Sequence, residues 1–374
     1  MSAADSGSLA WFPLVPRPRP PCPPLETRVR ELTALAAGEH GDSQEHTARA
    51  AEVLNKAALI ASDCGVPGLA RQLCDRQYEL FARAAPLPAR AVRLALQPVL
   101  NIPRQLIRDR HGDEARAMLE ALHQAARSHA GITIDGLHVS FGTLTRTADG
   151  YREARTLTWT ALLADGTRAL ARAGRWQEAA EHAAAHRGTG TRLLDGRQAA
   201  ILALLTSGQI SEAADMTAQS APAEGWEQAV QAVLRVLCQR AAGQEPDIAT
   251  MTGAACALAR TPDPATIASR TRIGLTALNL SDGTASPPAP DLRTALITAA
   301  HADGYAARDL LASPLMSKSL TTAQGSRLRS LARACGLGAG TIPGHLNRDM
   351  TTAASRAAST LAAALAGTSE AEAR

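Results

Sequence analysis

At 374 residues, the chain is long enough to form one large core or two domains. Its 39 lysine and arginine residues nearly balance its 35 aspartate and glutamate residues, so bulk charge does not indicate nucleic acid or a membrane as a partner. Only 3% of the residues are aromatic, and a core of alanine, leucine and valine suits closely packed helices better than sandwiches or barrels. We therefore predict an all-α protein.

The composition also indicates where the protein works. The basic residues are nearly all arginine, the only lysines being Lys56 and Lys318, and with the abundant alanine this indicates a GC-rich bacterial genome. The chain does not open with a basic and apolar leader, and no apolar run reaches the roughly 18 residues of a membrane span. The six cysteines lack zinc-site spacing and are expected to be small buried residues in a reducing compartment. We expect a cytoplasmic protein without a metal or another cofactor.

The first two predicted segments are a tail and a helical block. Residues 1–24 contain the run PLVPRPRPPCPP, whose prolines prevent a helix and predict an extended, disordered tail. The tail either has no function of its own or binds a proline-recognising partner. From Leu25 a helical period takes over, and residues 25–129 are predicted to form N-terminal helical repeats. Within this block, Pro98 and Pro103 predict a kink or a break in a helix.

The helical pattern stops at residues 130–151, an irregular loop rich in glycine, threonine and β-branched residues. Two short strands or an ordered loop are expected there. Six large apolar residues in thirteen positions are too many for a solvated linker, so we predict that the loop folds onto the helices. These residues are Ile132, Ile134, Leu137, Val139, Phe141 and Leu144.

The following block, residues 152–282, contains one helix-pair signature twice. Gly174 and Gly208 are 34 residues apart, as are Ala179 and Ala213. Two antiparallel helices of about a dozen residues, with two short turns, use about 34 residues. The glycine ends the first helix in the left-handed conformation, and the small alanine lets the helix backbones approach closely. The spacing therefore predicts stacked helical hairpins.

Glycine, a large apolar residue two places on, and alanine at these offsets resemble the tetratricopeptide repeat family. Setting Gly65 equivalent to Gly174 places a third copy at residues 51–84. The resemblance implies a right-handed α-solenoid of helical hairpins. Residues 283–290 are predicted to be a linker, and residues 291–366 a smaller C-terminal helical bundle whose last helix caps the stack.

Catalytic chemistry has little support in the sequence, which lacks the motifs for nucleotide binding, zinc proteolysis and serine hydrolysis. His138 and Asp135 in the loop are weak catalytic candidates, because a histidine beside a carboxylate is the usual material for a general base. The alternative is that they tie the loop to the helices by hydrogen bonds. Glu178, His182 and His186 form one further stripe on a helix face. Glu178 and His186 are eight residues apart, so the three residues cannot all bind one ion, and no metal site is predicted.

In the tetratricopeptide family the first helix of each repeat lines a concave groove, and the resemblance implies the same role here. Asn55 falls where the family often has a backbone-binding asparagine, and beside it Lys56 is a lysine where arginine is habitual. The other groove positions are Ser62, Asp165, Arg168, Arg172, Asp195 and Gln198. We predict peptide binding for Asn55, Lys56, Arg146, Arg168, Arg172 and Gln198, with a solvated helix face as the alternative.

Two functions are compatible with these observations. The first is a protein- or peptide-binding scaffold, or a regulatory interaction protein, that holds a segment of its partner in the groove. The second is a peptide-modifying enzyme, or a subunit of one, in the maturation of a ribosomally made natural product. No short basic DNA-reading unit precedes the repeats, so nucleic acid is not expected as a partner. The oligomeric state is left open.

Overall fold

The computed structural model describes residues 9–38, 43–281 and 288–372. Helices make up 75% of the structure, and the described residues contain one sheet, of two strands. The prediction of an all-α chain with a small β element is therefore confirmed. None of the described helices is long and apolar enough to cross a bilayer.

The chain divides into two compact units that cut across the predicted boundaries. Unit 1 combines the N-terminal segment up to Pro24 with Gly166–Cys335. Unit 2 combines Leu25–Asp165 with Gly336–Arg374. The predicted C-terminal bundle at residues 291–366 is thus shared between the two units. Residues 283–287 of the predicted linker lie outside the described residues, and residues 288–290 begin a helix.

In unit 2 the first five helices each pack on the next along the chain, and the helix Ala148–Ala161 packs on the fourth and fifth. Its elements are α1 (Leu25–Ala37), α2 (Ser43–Asp63), α3 (Pro67–Arg83), α4 (Ala89–Arg108), α5 (Gly112–Ser128), β1 (Gly131–Ile134), β2 (Leu137–Ser140), α6 (Phe141–Leu144) and α7 (Ala148–Ala161). A turn of π-helix, Leu162–Gly166, follows α7. The last helix of the chain, named α19 (Gly344–Glu372), packs on α1, α2 and α3.

Helix α19 belongs to unit 2 because its apolar stripe is buried in that core. Leu346, Met350 and Leu361 join the same hydrophobic cluster as the buried residues of α2. A helical stripe of this kind predicts that a face is buried, but it does not identify the helix that covers it. Helix α19 thus packs on helices far earlier in the chain, and its role as the cap of a helical stack stays a prediction.

Unit 1 is also built from consecutive helices that pack on their neighbours. They are α8 (Thr167–Arg172), α9 (Trp176–Ala185), α10 (Asp195–Thr206), α11 (Ile210–Ala218), α12 (Gly225–Ala241), α13 (Ile248–Ala259), α14 (Ile267–Ser281), α15 (Pro288–Ala300), α16 (Gly304–Ala312), α17 (Pro314–Ser319) and α18 (Thr322–Ala334). The central helices pair into hairpins, and the length of a hairpin agrees with the predicted spacing of 34 residues.

The same glycine turn closes four helical hairpins, one in unit 2 and three in unit 1. Gly65, Gly174, Gly208 and Gly243 all have φ between 67° and 83°, the left-handed region that a side chain disfavours. In each turn the N–H of the residue after the glycine donates to the carbonyl five positions earlier. The predicted close-packing residues are also buried, with Ala179 and Ala213 fully inaccessible. Helical hairpins are therefore confirmed at all three predicted copies, and Gly243 marks one that the sequence pattern did not reveal.

The loop at 130–151 folds as a hairpin with an apolar side. Its strands are antiparallel, with Ile134 opposite Leu137. Asp135 (φ 48°) and Gly136 (φ 86°) form the two-residue turn, a left-handed pair that matches strand twist. Five of the six apolar residues are buried in the core of unit 2, which confirms that the loop folds onto the helices. They are Ile134, Leu137, Val139, Phe141 and Leu144.

Residues 9–24 correct the prediction of a disordered tail. Leu9–Trp11 form a turn of 3-10 helix, and the segment then runs extended, as its prolines predict. Leu9, Phe12 and Leu14 are buried in the core of unit 1. The prolines do exclude a helix, but the large apolar residues between them supply enough burial to order the segment. Residues 1–8 lie outside the described part of the chain.

Candidate functional site

A row of amide side chains lies between α2 and α4 in unit 2. Gln97 and Asn101 are one turn apart on α4 and therefore share a face. Asn55 on α2 bridges them: its Nδ2 donates to Gln97 Oε1 (3.2 Å), and its Oδ1 accepts from Asn101 Nδ2 (3.3 Å). We name these three residues the amide ladder. Asn55 and Asn101 are half-buried and Gln97 is exposed, so the ladder faces solvent along one side.

Two arginines extend the ladder toward the C-terminal end of α4. Arg104 donates from Nη1 to Asn101 Oδ1 (3.3 Å) and from Nε to Asp165 Oδ2 (2.8 Å). Asp165 lies in the π-turn, with only 1% of its side chain exposed. Arg108 donates to Ser62 Oγ (2.7 Å). The face is thus neutral at Gln97 and cationic at Arg108.

Sequence reasoning found one side of this face and missed the other. The repeat register predicted Asn55, Ser62 and Asp165, which the structure brings onto it. The polar residues of α4 were overlooked, although they recur at helical intervals of four and three residues. These are Gln97, Asn101, Arg104 and Arg108. Lys56 stands beside Asn55 but pairs with Glu52 of its own helix (2.7 Å).

A second polar face, in unit 1, holds the N-terminal segment of the chain. The backbone N–H of Leu14 donates to Gln198 Oε1 (2.7 Å), and Gln198 in turn donates to the carbonyl of Leu193 (2.7 Å). Gln198 is fully buried, so this orientation of its amide is fixed. Arg17 pairs with Asp195, also on α10, at 2.7 Å. We name residues 9–24 the strap.

The other end of the strap is held by the start of α16 and the turn before α14. The N–H of Arg19 donates to the carbonyl of Ala265 (3.2 Å), and its guanidinium carbon lies 3.4 Å from the centre of the Tyr305 ring. The N–H of Cys22 donates to Asp303 Oδ2 (2.7 Å), and its carbonyl accepts from Gly304 N–H (2.8 Å). Two residues predicted for the groove, Asp195 and Gln198, therefore contact an extended segment of this same chain.

The remaining predicted groove residues are spread over both units. Arg168 and Arg172 lie on α8 in unit 1, the first half-buried and the second exposed. Arg146 is exposed in unit 2, after the β-hairpin. Neither unit therefore contains the whole predicted set.

The weak catalytic candidates are not brought together. Asp135 accepts a hydrogen bond from Nη1 of Arg71 (2.6 Å). The same arginine donates from Nη2 to the carbonyl of Ile134 (3.0 Å). His138 Nδ1 lies 3.4 Å from Thr133 Oγ1 on the neighbouring strand. Arg71 thus ties the loop to α3, as the alternative interpretation has it. A general base would instead need the carboxylate to orient the imidazole.

The histidine stripe on α9 has a packing role. His182 is buried against Gly166, where a Cβ would lie 2.5 Å from its Nε2. His182 also meets His186 edge to face at 4.7 Å, while Glu178 pairs with Arg175. In the described ranges, no group of three or more histidine, cysteine, aspartate or glutamate residues is arranged to hold a metal.

Two further features of the structure are its buried cysteines and a cavity in unit 1. All six cysteines are free and buried, as predicted, and burial raises the pKa of the Cys74 thiol to about 12, which keeps it protonated. A cavity of about 420 Å³ between α11 and α12 is lined by residues such as Thr217, Arg235 and Gln239. No histidine or carboxylate lines it.

Glu227 is a fully buried carboxylate of unit 1 that is paired with Arg192. It accepts from Arg192 Nε (3.0 Å) and from the N–H of Leu193 (3.2 Å), next to the carbonyl that orients Gln198. Burial raises the pKa of Glu227, but the hydrogen bonds from Arg192 and Leu193 more than offset it, and the pKa is lowered overall.

The lowered pKa of Glu227 predicts an acid-labile contribution to stability. Below the ordinary glutamate pKa of about 4.3 the unfolded chain takes up this proton first, so the free energy of unfolding falls as the pH drops through the folded pKa. We expect Glu227→Gln to lose less stability than wild type between about pH 5 and 3. Urea denaturation across this range measures it, with Glu212→Gln, at an exposed carboxylate of α11, as control. Parallel pH profiles for wild type and Glu227→Gln would contradict the prediction.

Comparison with known proteins adds no family to these observations. No protein-family model matches the chain, and searches among curated proteins and solved structures give no significant match. The class that fold and sites define is a helical protein of stacked hairpins with two polar faces, one of which holds an extended segment.

Proposed function

We propose that the protein is a peptide-binding scaffold of the tetratricopeptide kind, in which the amide ladder holds the main chain of an extended segment. The segment belongs to another protein or is a free peptide. The observation that carries the proposal is the alignment of Asn55, Gln97 and Asn101 on one solvent-facing side of α2 and α4.

The spacing of the ladder suits an extended ligand. Gln97 and Asn101 are four residues apart, about 6 Å along the helix axis. In an extended chain the backbone groups that face one side repeat every two residues, about 6.6 Å. Each side-chain amide offers both a donor and an acceptor, as each peptide unit does. The ladder is therefore able to pair with successive peptide units along the ligand.

The arginines at the end of the ladder give the ligand a charge preference. The guanidinium groups of Arg104 and Arg108 are of the shape that fits carboxylates, and Arg108 is exposed. A ligand with an acidic side chain or a C-terminal carboxylate at this end gains a charge-assisted hydrogen bond. We therefore expect acidic segments to bind better than basic ones.

The strap supports this mode of recognition. On α10 the amide of Gln198 holds the backbone N–H of an extended segment, which is the role proposed here for the ladder. The enzyme alternative has no comparable support, because Asp135 and His138 are engaged separately with Arg71 and Thr133. A cytoplasmic location and a right-handed solenoid remain part of the proposal.

Selection of peptides from a random library on the full-length protein tests the proposal. For a selected peptide, we expect Asn101→Ala/Arg108→Ala to weaken binding at least about tenfold, the effect of losing one neutral and one charged hydrogen bond. Fluorescence anisotropy measures the Kd. The matched control is Gln124→Ala/Arg127→Ala on the exposed side of α5. Equal affinity of the ladder variant and wild type for every selected peptide would refute the ladder as the site.

A further inference from the structure

The strap is held as a ligand is held. Between its 3-10 turn and Pro24 it forms no helix or strand. Its backbone N–H groups donate instead to buried side chains, Leu14 to Gln198 and Cys22 to Asp303. Gln198 is fully inaccessible and Asp303 only 1% exposed. Buried polar groups are costly unless hydrogen-bonded, so this face of unit 1 requires an extended segment that supplies the two donors.

The contacts of the strap are also specific for arginine. Arg17 meets the carboxylate of Asp195, which is 7% exposed, and Arg19 stacks on Tyr305, which is 1% exposed. A guanidinium suits both partners, because it binds carboxylates through its fork and stacks on aromatic faces. The face therefore selects two cationic side chains at alternate positions of an extended chain.

The prolines of the strap contribute conformation and not hydrogen bonds. Pro16, Pro18, Pro20 and Pro21 have no N–H to donate, and the last three are exposed. They hold the chain extended before it binds, which lowers the entropy that ordering costs. In the middle of the strap, the N–H of Arg19 donates to the carbonyl of Ala265. The side chains of Arg17 and Arg19 add their contacts with Asp195 and Tyr305.

We propose that this face of unit 1 is a second peptide site, selective for extended segments rich in proline and arginine, and that the strap is its resident ligand. A partner protein that presents such a segment displaces the strap and takes its place on Gln198, Asp195, Tyr305 and Asp303. The buried carboxylate of Asp195 faces the cationic Arg17, and that of Asp303 accepts from the backbone N–H of Cys22, so the site excludes acidic segments. This site is independent of the amide ladder, whose expected ligands are acidic.

A labelled synthetic peptide with the sequence of residues 9–24 tests the proposal on full-length protein. We expect it to bind the strap variant Arg17→Glu/Arg19→Glu at least about tenfold more tightly than wild type, whose own strap competes. Adding Asp195→Ala to the strap variant should weaken binding at least about fivefold. A scrambled peptide of the same composition should not bind. Failure of the peptide to bind any form, or no effect of Asp195→Ala, would overturn the proposal.

If the strap variant is less helical than wild type, a second measurement on the wild-type protein still tests the proposal. In wild type, hydrogen exchange at the amides of Leu14 and Cys22 should proceed by local release, at least about tenfold faster than at α10 core amides such as Leu202. Exchange of both sets only by global unfolding would show a fixed structural element and overturn the proposal. The ladder variant Asn101→Ala/Arg108→Ala should behave as wild type in both measurements, so failure here is distinct from failure of the ladder.

Discussion

Replacing Phe141 by alanine is expected to lower the free energy of unfolding by about 3–5 kcal/mol, the range for truncating a buried aromatic side chain. Phe141 is 1% exposed in the core of unit 2, and its N–H donates to the carbonyl of Ala130 at the edge of the hairpin. The substitution removes the side chain and leaves a cavity that the hairpin and helices do not fill. Thermal and urea denaturation followed by circular dichroism measure the loss.

The control for this prediction lies three residues away. His138 is exposed on β2, so His138→Ala should change the free energy of unfolding by less than about 0.5 kcal/mol. A Phe141→Ala protein as stable as wild type, or a His138→Ala protein that is much less stable, would show that the apolar side of the loop is not the buried one.

Replacing Gly196 by alanine is expected to cost about 1–3 kcal/mol or more, because the added methyl group meets backbone that cannot move aside. A Cβ at this position would lie 2.5 Å from the carbonyl oxygen of Gly188 and 2.9 Å from the Cβ of Ala183. Gly196 stands in the first turn of α10, between Asp195 and Gln198. The substitution should therefore displace the residues that hold the strap as well as destabilise unit 1.

Gly253 in α13 is the matched control. A Cβ there has no atom within 4 Å, and alanine is the better helix former, so Gly253→Ala should raise stability by up to about 1 kcal/mol. Opposite signs for the two substitutions, measured by urea denaturation, are the expected result. A neutral or stabilising Gly196→Ala would mean that α10 is not packed against the segment at Gly188.

The sequence predicted the features that depend on local chemistry. The glycine turns were found because Gly65, Gly174 and Gly208 need the left-handed conformation, which few residues adopt. The glycine, threonine and β-branched residues at 130–151 predict two short strands or an ordered loop, and the structure has two paired strands there. Both signals act over a few residues, and both are visible without knowledge of the rest of the fold.

The sequence did not predict contacts between distant segments. The strap was taken for a disordered tail because its prolines dominate the pattern, while its partners Gln198 and Asp303 lie far along the chain. The predicted break in α4 is also absent, since one helix runs from Ala89 to Arg108 through Pro98 and Pro103. Both prolines are buried, and tertiary packing overrides the local preference for a break.

Two of the three residues of the amide ladder could not be predicted, for a related reason. The repeat resemblance supplied positions only where a copy had been recognised, which included Asn55 on α2 but not α4. Gln97 and Asn101 became site residues only when the structure placed them against Asn55. A polar stripe on a helix indicates an exposed face, and only the neighbouring helix shows that two such stripes meet.

Photo-crosslinking tests most directly whether a helix face of unit 1 holds an extended chain. Val15 is half-buried beside Leu14, so benzoylphenylalanine at position 15 should react with the helices that carry the strap. We expect an intramolecular crosslink to α10 or to the segment from Pro264 through α14, located by mass spectrometry of the digested protein. Crosslinks that map elsewhere in the chain, or that join two molecules, would contradict it.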